Sequence, residues 1–187
     1  LTLTLFESDY CDPLSCGKFI PCFNQVTRMR SFDCAALIEG DDFTVLNLND
    51  AVASGLGFHL SKLGLKVDLI MGVYGAAGSF PQCLEMKKGE ATARRLEFIE
   101  NALNRLTLCA NQLQAQYIFP FAGQYVLVGE KEILNPDRAI DPLPKIVKKL
   151  EAQFEGEVFT LEALENVILK NHQIVEKGIC YIEPTNA

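Results

Sequence analysis

The chain has 187 residues, 49% of them hydrophobic and 22% charged, with a formal net charge of −7. That length suits one domain able to bury a substantial core, and the acidic balance argues against a nucleic-acid or anionic-membrane surface. No apolar stretch approaches the ~18 residues of a membrane span, and no signal peptide is visible, so a cytoplasmic location is expected.

Residues 1–6, LTLTLF, alternate threonine with leucine as a strand does. A chain that starts inside a strand at Leu1 carries the expectation of processing or of a longer parent protein. Residues 7–18 hold Asp9, Asp12, Pro13 and Gly17, which is loop chemistry. Residues 19–23 are apolar but broken by Pro21, an edge strand at most. Cys11, Cys16 and Cys22 crowd this region, among seven cysteines in all. Their spacing, without a CxxC pair, suits a structural zinc site poorly, so reduced thiols are expected.

The two apolar runs 31–39 and 43–49 flank Gly40-Asp41-Asp42 and predict a hairpin. The second run, FTVLNLND, closes on Asn49-Asp50. Residues 51–65 place Val52, Leu56, Leu60 and Leu63 at helical spacing, so Asp50 is either a helix cap accepting free N–H groups or a side chain delivered to a sheet edge. Residues 66–71, KVDLIM, predict a second buried strand. The small-residue loop GVYGAAG follows, then Ser79 to Cys83. It lacks the form GxGxxG, and no helix begins directly after it, so it supports a phosphate loop weakly.

Residues 90–113 carry Leu96, Ile99, Leu103, Leu106, Ala110 and Leu113 in one stripe, the clearest helix of the chain. Glu90 and Arg94 form an i,i+4 pair on its outer side. Residues 116–120, QYIFP, predict a third strand, with 121–125 turning off its end. After a Pro/Asp-rich loop over 135–144, Ile146, Val147, Leu150 and Phe154 predict a short amphipathic helix. Residues 160–170 read as another, with Thr160 as its N-cap. The basic residues Arg94, Arg95, Lys145, Lys148 and Lys149 sit among acids, as solvated helix faces do.

Strand, helix, strand, helix, strand between 43 and 120 predicts parallel pairing with helices covering an α/β sheet. The exits at Asn49-Asp50, at the 73–83 loop and at 121–125 then share the carboxyl edge, where open α/β sheets bind ligands. Asp50 is the candidate metal ligand. Asn49, Tyr74, Gly75, Ser79, Gln82 and Cys83 are the candidate substrate pocket.

DCAALIEGDDFTVLNLND resembles the late hairpin of metallo-β-lactamase-fold hydrolases, where a strand ends in the aspartate that bridges two metals. GVYGAAGSFPQC and IFPFAGQY are similar to the loops SGASGFPxC and PFASF of the branch around the CMP-sialic acid hydroxylase and related bacterial proteins. The resemblance covers about residues 30–135. It implies the C-terminal half of a metallo-β-lactamase-like αβ/βα sandwich over 1–142, a mixed sheet with covering helices, and a C-terminal helical extension over 143–187.

On the same resemblance Asp50 matches the bridging aspartate, a carboxylate able to hold two divalent cations, and Cys83 matches a position in the pocket wall. The defining HxHxDH cluster is absent. The chain has only His59, expected on a helix surface, and His172, expected to be solvated. Gly129 or a neighbour stands where relatives carry a later histidine. One reading is therefore the C-terminal portion of a metal-dependent hydrolase, with zinc or another divalent transition metal, completed by a histidine-bearing N-terminal half and acting on a small-molecule substrate. A second is a catalytically degenerate relative that binds a ligand or a protein partner. A third is an unrelated α/β binding domain in which Asp50 caps a helix.

Overall fold

The computed structural model describes residues 1–7, 34–49, 51, 55–75, 81–87, 89–121 and 124–179. The edge strand expected over 19–23 lies outside them. The described elements are β1 (Thr2–Glu7), β2 (Cys34–Glu39), β3 (Thr44–Asn47), α1 (Leu56–Lys62), β4 (Leu69–Gly72), α2 (Glu90–Gln112), β5 (Tyr117–Pro120), a 3-10 helix (Gly129–Asp137), α3 (Leu143–Glu151), β6 (Glu157–Val158), β7 (Glu165–Lys170) and β8 (Gln173–Ile179).

The first six strands form one mixed sheet in the order β1-β2-β3-β4-β5-β6. The expected hairpin is present: β2 and β3 pair antiparallel, closed by the Gly40 N–H donating to the Phe43 carbonyl at 2.8 Å. β3, β4 and β5 pair parallel, as the crossover helices α1 and α2 require. α3 makes one more crossover and returns the chain as β6, parallel to β5.

Register assigns the side chains to two faces. Leu46, Ile70 and Ile118 lie in one row and pack with Leu60, Leu103 and Leu106 in the main core. Leu69 and Tyr117 lie on the opposite face, in a second core with Phe43 and Phe159. Burial on both faces explains why these strands read as unbroken apolar runs.

The C-terminal segment departs from expectation. In place of a helix over 160–170, β7 and β8 form an antiparallel hairpin whose Val167, Leu169 and Ile174 pack on the second core. Leu161, Leu164 and Ile168 fit helical spacing, but Val167, Ile168 and Leu169 are a short apolar run that also suits a strand, and burial alternates along it. Asn171 and His172, at φ 50° and 60°, supply the two-residue turn that decides for the hairpin. Of the helical extension expected over 143–187, the described residues through 179 contain α3 as the α-helix, with β6 joining the main sheet and β7–β8 covering it.

Two boundaries also move. α1 begins at Leu56, with Gly55 at its N-cap and no side-chain cap, later than the start after Asp50 on which the capping alternative for that residue was based. Leu96, placed by periodicity on the buried stripe of α2, is 38% exposed, while Ile99, Leu103 and Leu106 are buried. Arg94 pairs with Glu97 at 3.1 Å in place of Glu90.

The hairpin side of the sheet is not evenly covered. Leu3, Ile38, Val45, Leu69 and Tyr117 share one row across it. Leu69 and Tyr117 are buried, whereas Leu3 and Leu5 on β1 are each 62% exposed.

Candidate functional site

The carboxyl ends of β3, β4 and β5 meet at one edge, as the parallel order requires. Beyond β3, Asn49 adopts φ 44°, a left-handed conformation that asparagine tolerates better than most residues. Its N–H donates to Asn47 Oδ1 at 2.9 Å, and the Ala51 N–H donates to the Leu48 carbonyl at 2.7 Å. Asn49 itself is exposed. Asp50 and Ser79 lie outside the described residues.

Past β4 the chain turns Tyr74 inward until it is 2% exposed. Burial pushes its phenol pKa up, against a hydrogen bond with the Gln124 side chain that works the other way. At Gly75 a β-carbon would stand 2.9 Å from Ile140 Cγ1 and 3.1 Å from the Ala139 carbonyl oxygen. This glycine therefore serves the close approach of two segments of the chain itself.

The Phe121 N–H donates to the Gly72 carbonyl at 3.0 Å, which ties the exits of β4 and β5 together. Further on, Tyr125 accepts from Gln82 Nε2 at 3.0 Å, and the Arg138 guanidinium lies 5.2 Å from the Tyr125 ring centroid. Gln82 is buried and Cys83 exposed. Burial pushes the Tyr125 phenol up; the Arg138 charge and the Gln82 hydrogen bond pull it down, and the neighbouring Cys83 thiol adds to the rise. Beside this group a concavity of about 280 Å³ opens between Tyr74, Phe119, Phe121, Gln124, Leu143 and Leu161.

Of the residues expected in a pocket, Tyr74 lines the concavity, Gln82 and Cys83 gather at Tyr125, Gly75 is committed to Ala139–Ile140, and Asn49 stays at the exposed end of β3. Gln124, Tyr125 and Arg138 carry much of this geometry. Sequence reading placed the first two only in a turn, although a polar-aromatic pair in the turn after an apolar strand was a usable signal.

Two charged clusters were also missed. Asp141, 2% exposed, receives Arg95 at 2.5 Å, Lys145 at 3.0 Å and Lys149 at 3.2 Å. Burial would raise its pKa, but the hydrogen bonds from Lys145, Arg95 and Lys149 outweigh burial and hold the carboxyl below its ordinary value. Arg95 also donates to the carbonyls of Arg138 and Ile140, at 2.7 and 2.9 Å. The cluster thus clamps to α2 the segment that backs Gly75 and Tyr125. The second cluster joins His172 to Asp68. His172 is exposed as expected, but its Nδ1 lies 3.0 and 3.1 Å from the Asp68 carboxylate oxygens, so it is not simply solvated. His59 is exposed on α1, the surface position expected of it.

Among the described residues no group of three or more histidine, cysteine, aspartate or glutamate side chains is placed to hold a metal. No described helix is long and apolar enough to cross a membrane.

Fold and site together define an α/β protein with a mixed sheet and a small aromatic concavity at its carboxyl edge. Comparisons with family models, curated proteins and solved structures give no match.

Proposed function

We propose that the chain is the C-terminal portion of a metal-dependent hydrolase of the metallo-β-lactamase superfamily, completed by an N-terminal half that supplies the histidine ligands. The observation that carries this reading is the uneven cover of the sheet. β1 presents Leu3 and Leu5, each 62% exposed, Leu3 in line with the half-buried Ile38 and Val45 and Leu5 two residues along the same face. An exposed apolar sheet face next to a buried one is what a second layer packs against. The mixed sheet and its converging strand exits support the same reading, as does the resemblance of the loops at those exits. In this reading Asp50 contributes one metal ligand, and Tyr74, Gln82 and Cys83 form part of the wall around the substrate.

The test is metal analysis of the purified chain, alone and together with a histidine-bearing polypeptide that binds it. Near-stoichiometric transition metal is expected only in the complex, and Asp50→Ala should reduce it. A stable complex without metal overturns the reading.

A catalytically degenerate relative, binding a ligand or a protein without chemistry, is the second reading. It is favoured by the missing histidine near Gly129, where Gly129 or a neighbour stands at the position that the resembling proteins give it. Gly129 adopts φ +66°, a conformation in which a histidine would be strained. This reading expects the complex to form and bind no metal.

A further inference from the structure

The concavity at the sheet edge has a composition that selects among ligands. Its floor and walls are the aromatic rings of Phe119 and Phe121, stacked at 6.1 Å with 19° between their planes, together with Tyr74, Leu143 and Leu161. The polar contribution comes from the Gln124 amide, which is exposed and hydrogen-bonded to the Tyr74 phenol. Among the described residues no charged side chain lines it. Burial favours the neutral phenol at Tyr74, so the wall remains uncharged at neutral pH. A volume of about 280 Å³ lies just below the ~300 Å³ at which pockets begin to take drug-sized ligands. It suits a single ring.

The geometry points to a binding site for one neutral ring bearing a hydroxyl or amide group, the ring stacked against Phe121 and the polar group hydrogen-bonded to Gln124. A charged ring is disfavoured, because a carboxylate or ammonium entering this wall would lose water without meeting a counter-charge. An apolar ring without the polar group would displace water from the Gln124 amide and leave it with the Tyr74 bond alone. The inference does not require a metal, so it stands or falls separately from the hydrolase reading.

Phenol, toluene and benzoate serve as probes, titrated into the chain and followed by NMR at the side chains of Tyr74 and Phe121 and at the amide of Gln124. Phenol should bind more tightly than toluene, and benzoate more weakly than both. Phe121→Ala should weaken phenol binding by about tenfold, the combined scale of lost aromatic contact and area. Gln124→Ala, with its fold checked by an unchanged amide spectrum away from the site because Tyr74 also loses its partner, should bring phenol and toluene to equal affinity. Benzoate binding as tightly as phenol, shifts spread away from these residues, or unchanged discrimination in Gln124→Ala would each overturn the inference. So would the absence of any shift up to the solubility limit of phenol.

Discussion

Nδ1 of His172 lies 3.0 Å from Oδ1 of Asp68, joining the tip of the β7–β8 hairpin to the residue that leads into β4. The other carboxylate oxygen accepts the Thr44 N–H at 2.7 Å, and the Asn171 N–H donates to Asp42 Oδ2 at 2.8 Å. These contacts gather at the amino edge of the parallel strands, opposite the candidate site. The hairpin is therefore held at its turn while its apolar side lies over Leu69 and Tyr117.

Removing either member of that pair should have unequal effects. Asp68→Ala leaves the Thr44 N–H without its acceptor and should cost about 1–3 kcal/mol, the scale of a buried unsatisfied group. The His172 side chain is 61% exposed, so His172→Ala should cost under about 1 kcal/mol, as exposed ion pairs do. Urea denaturation of both variants checks this. Equal losses would show that the carboxylate matters mainly through the histidine.

Asp141 should govern the acid limb of stability. Its folded pKa lies below the ordinary carboxylate value, so the folded state favours the ionised form. The resulting stabilisation is complete above the unfolded-state pKa and is lost as pH falls through the lowered folded value. Asp141→Asn should cost about 2–3 kcal/mol near neutral pH, below the usual figure for a broken buried pair because Lys145 and Lys149 retain access to water. The difference from the parent should shrink as pH is lowered. Denaturation midpoints followed from neutral to acid pH would refute this if the two curves ran parallel.

Gly57 marks where α1 crosses α2. A β-carbon there would stand 2.6 Å from Gln112 Oε1, 2.9 Å from Cys109 Sγ and 3.0 Å from Cys109 Cα. The glutamine tip can swing away, but the helix backbone cannot. Helix propensity favours alanine over glycine by about 1 kcal/mol, and overpacking costs about 1–3 kcal/mol, so Gly57→Ala should be destabilising by up to about 2 kcal/mol. A rise in thermal midpoint would mean that the crossing has slack.

The sheet was legible because its three central strands are short apolar runs separated by amphipathic stretches, and parallel pairing follows from that order alone. The hairpin at 165–179 was not, because Leu161, Leu164 and Ile168 satisfy helical spacing while the turn at Asn171-His172 depends on backbone angles that many residue pairs share. Asp68 did leave a trace: a carboxylate inside KVDLIM needs partners, yet these stand 24 and 104 positions away along the chain. Asp141, Lys145 and Lys149 sit at helical intervals that could have been read as a cluster. Arg95, which completes it, comes from another helix. At the candidate site, Tyr74 and Gln82 could be placed by strand order, whereas the contacts to Gln124, Tyr125 and Arg138 arise only when separate loops fold together.

The uncovered part of the sheet gives the most direct check on the proposed second half. Leu3 and Leu5 are mostly exposed and contribute little to the core of this chain, so replacing both by glutamate should alter its own stability by less than about 0.5 kcal/mol, the usual scale for surface changes. Against an apolar second layer the same carboxylates would be buried without partners, at several kcal/mol each. Leu3→Glu with Leu5→Glu should therefore leave the denaturation midpoint of the isolated chain nearly unchanged and abolish its association with a histidine-bearing half, along with metal retention by the complex. Sedimentation of the mixed chains, parent against variant, measures the first effect, and metal content of the sedimenting species the second. Association that survives both glutamates would place the partner on another surface and remove the main support for the hydrolase reading.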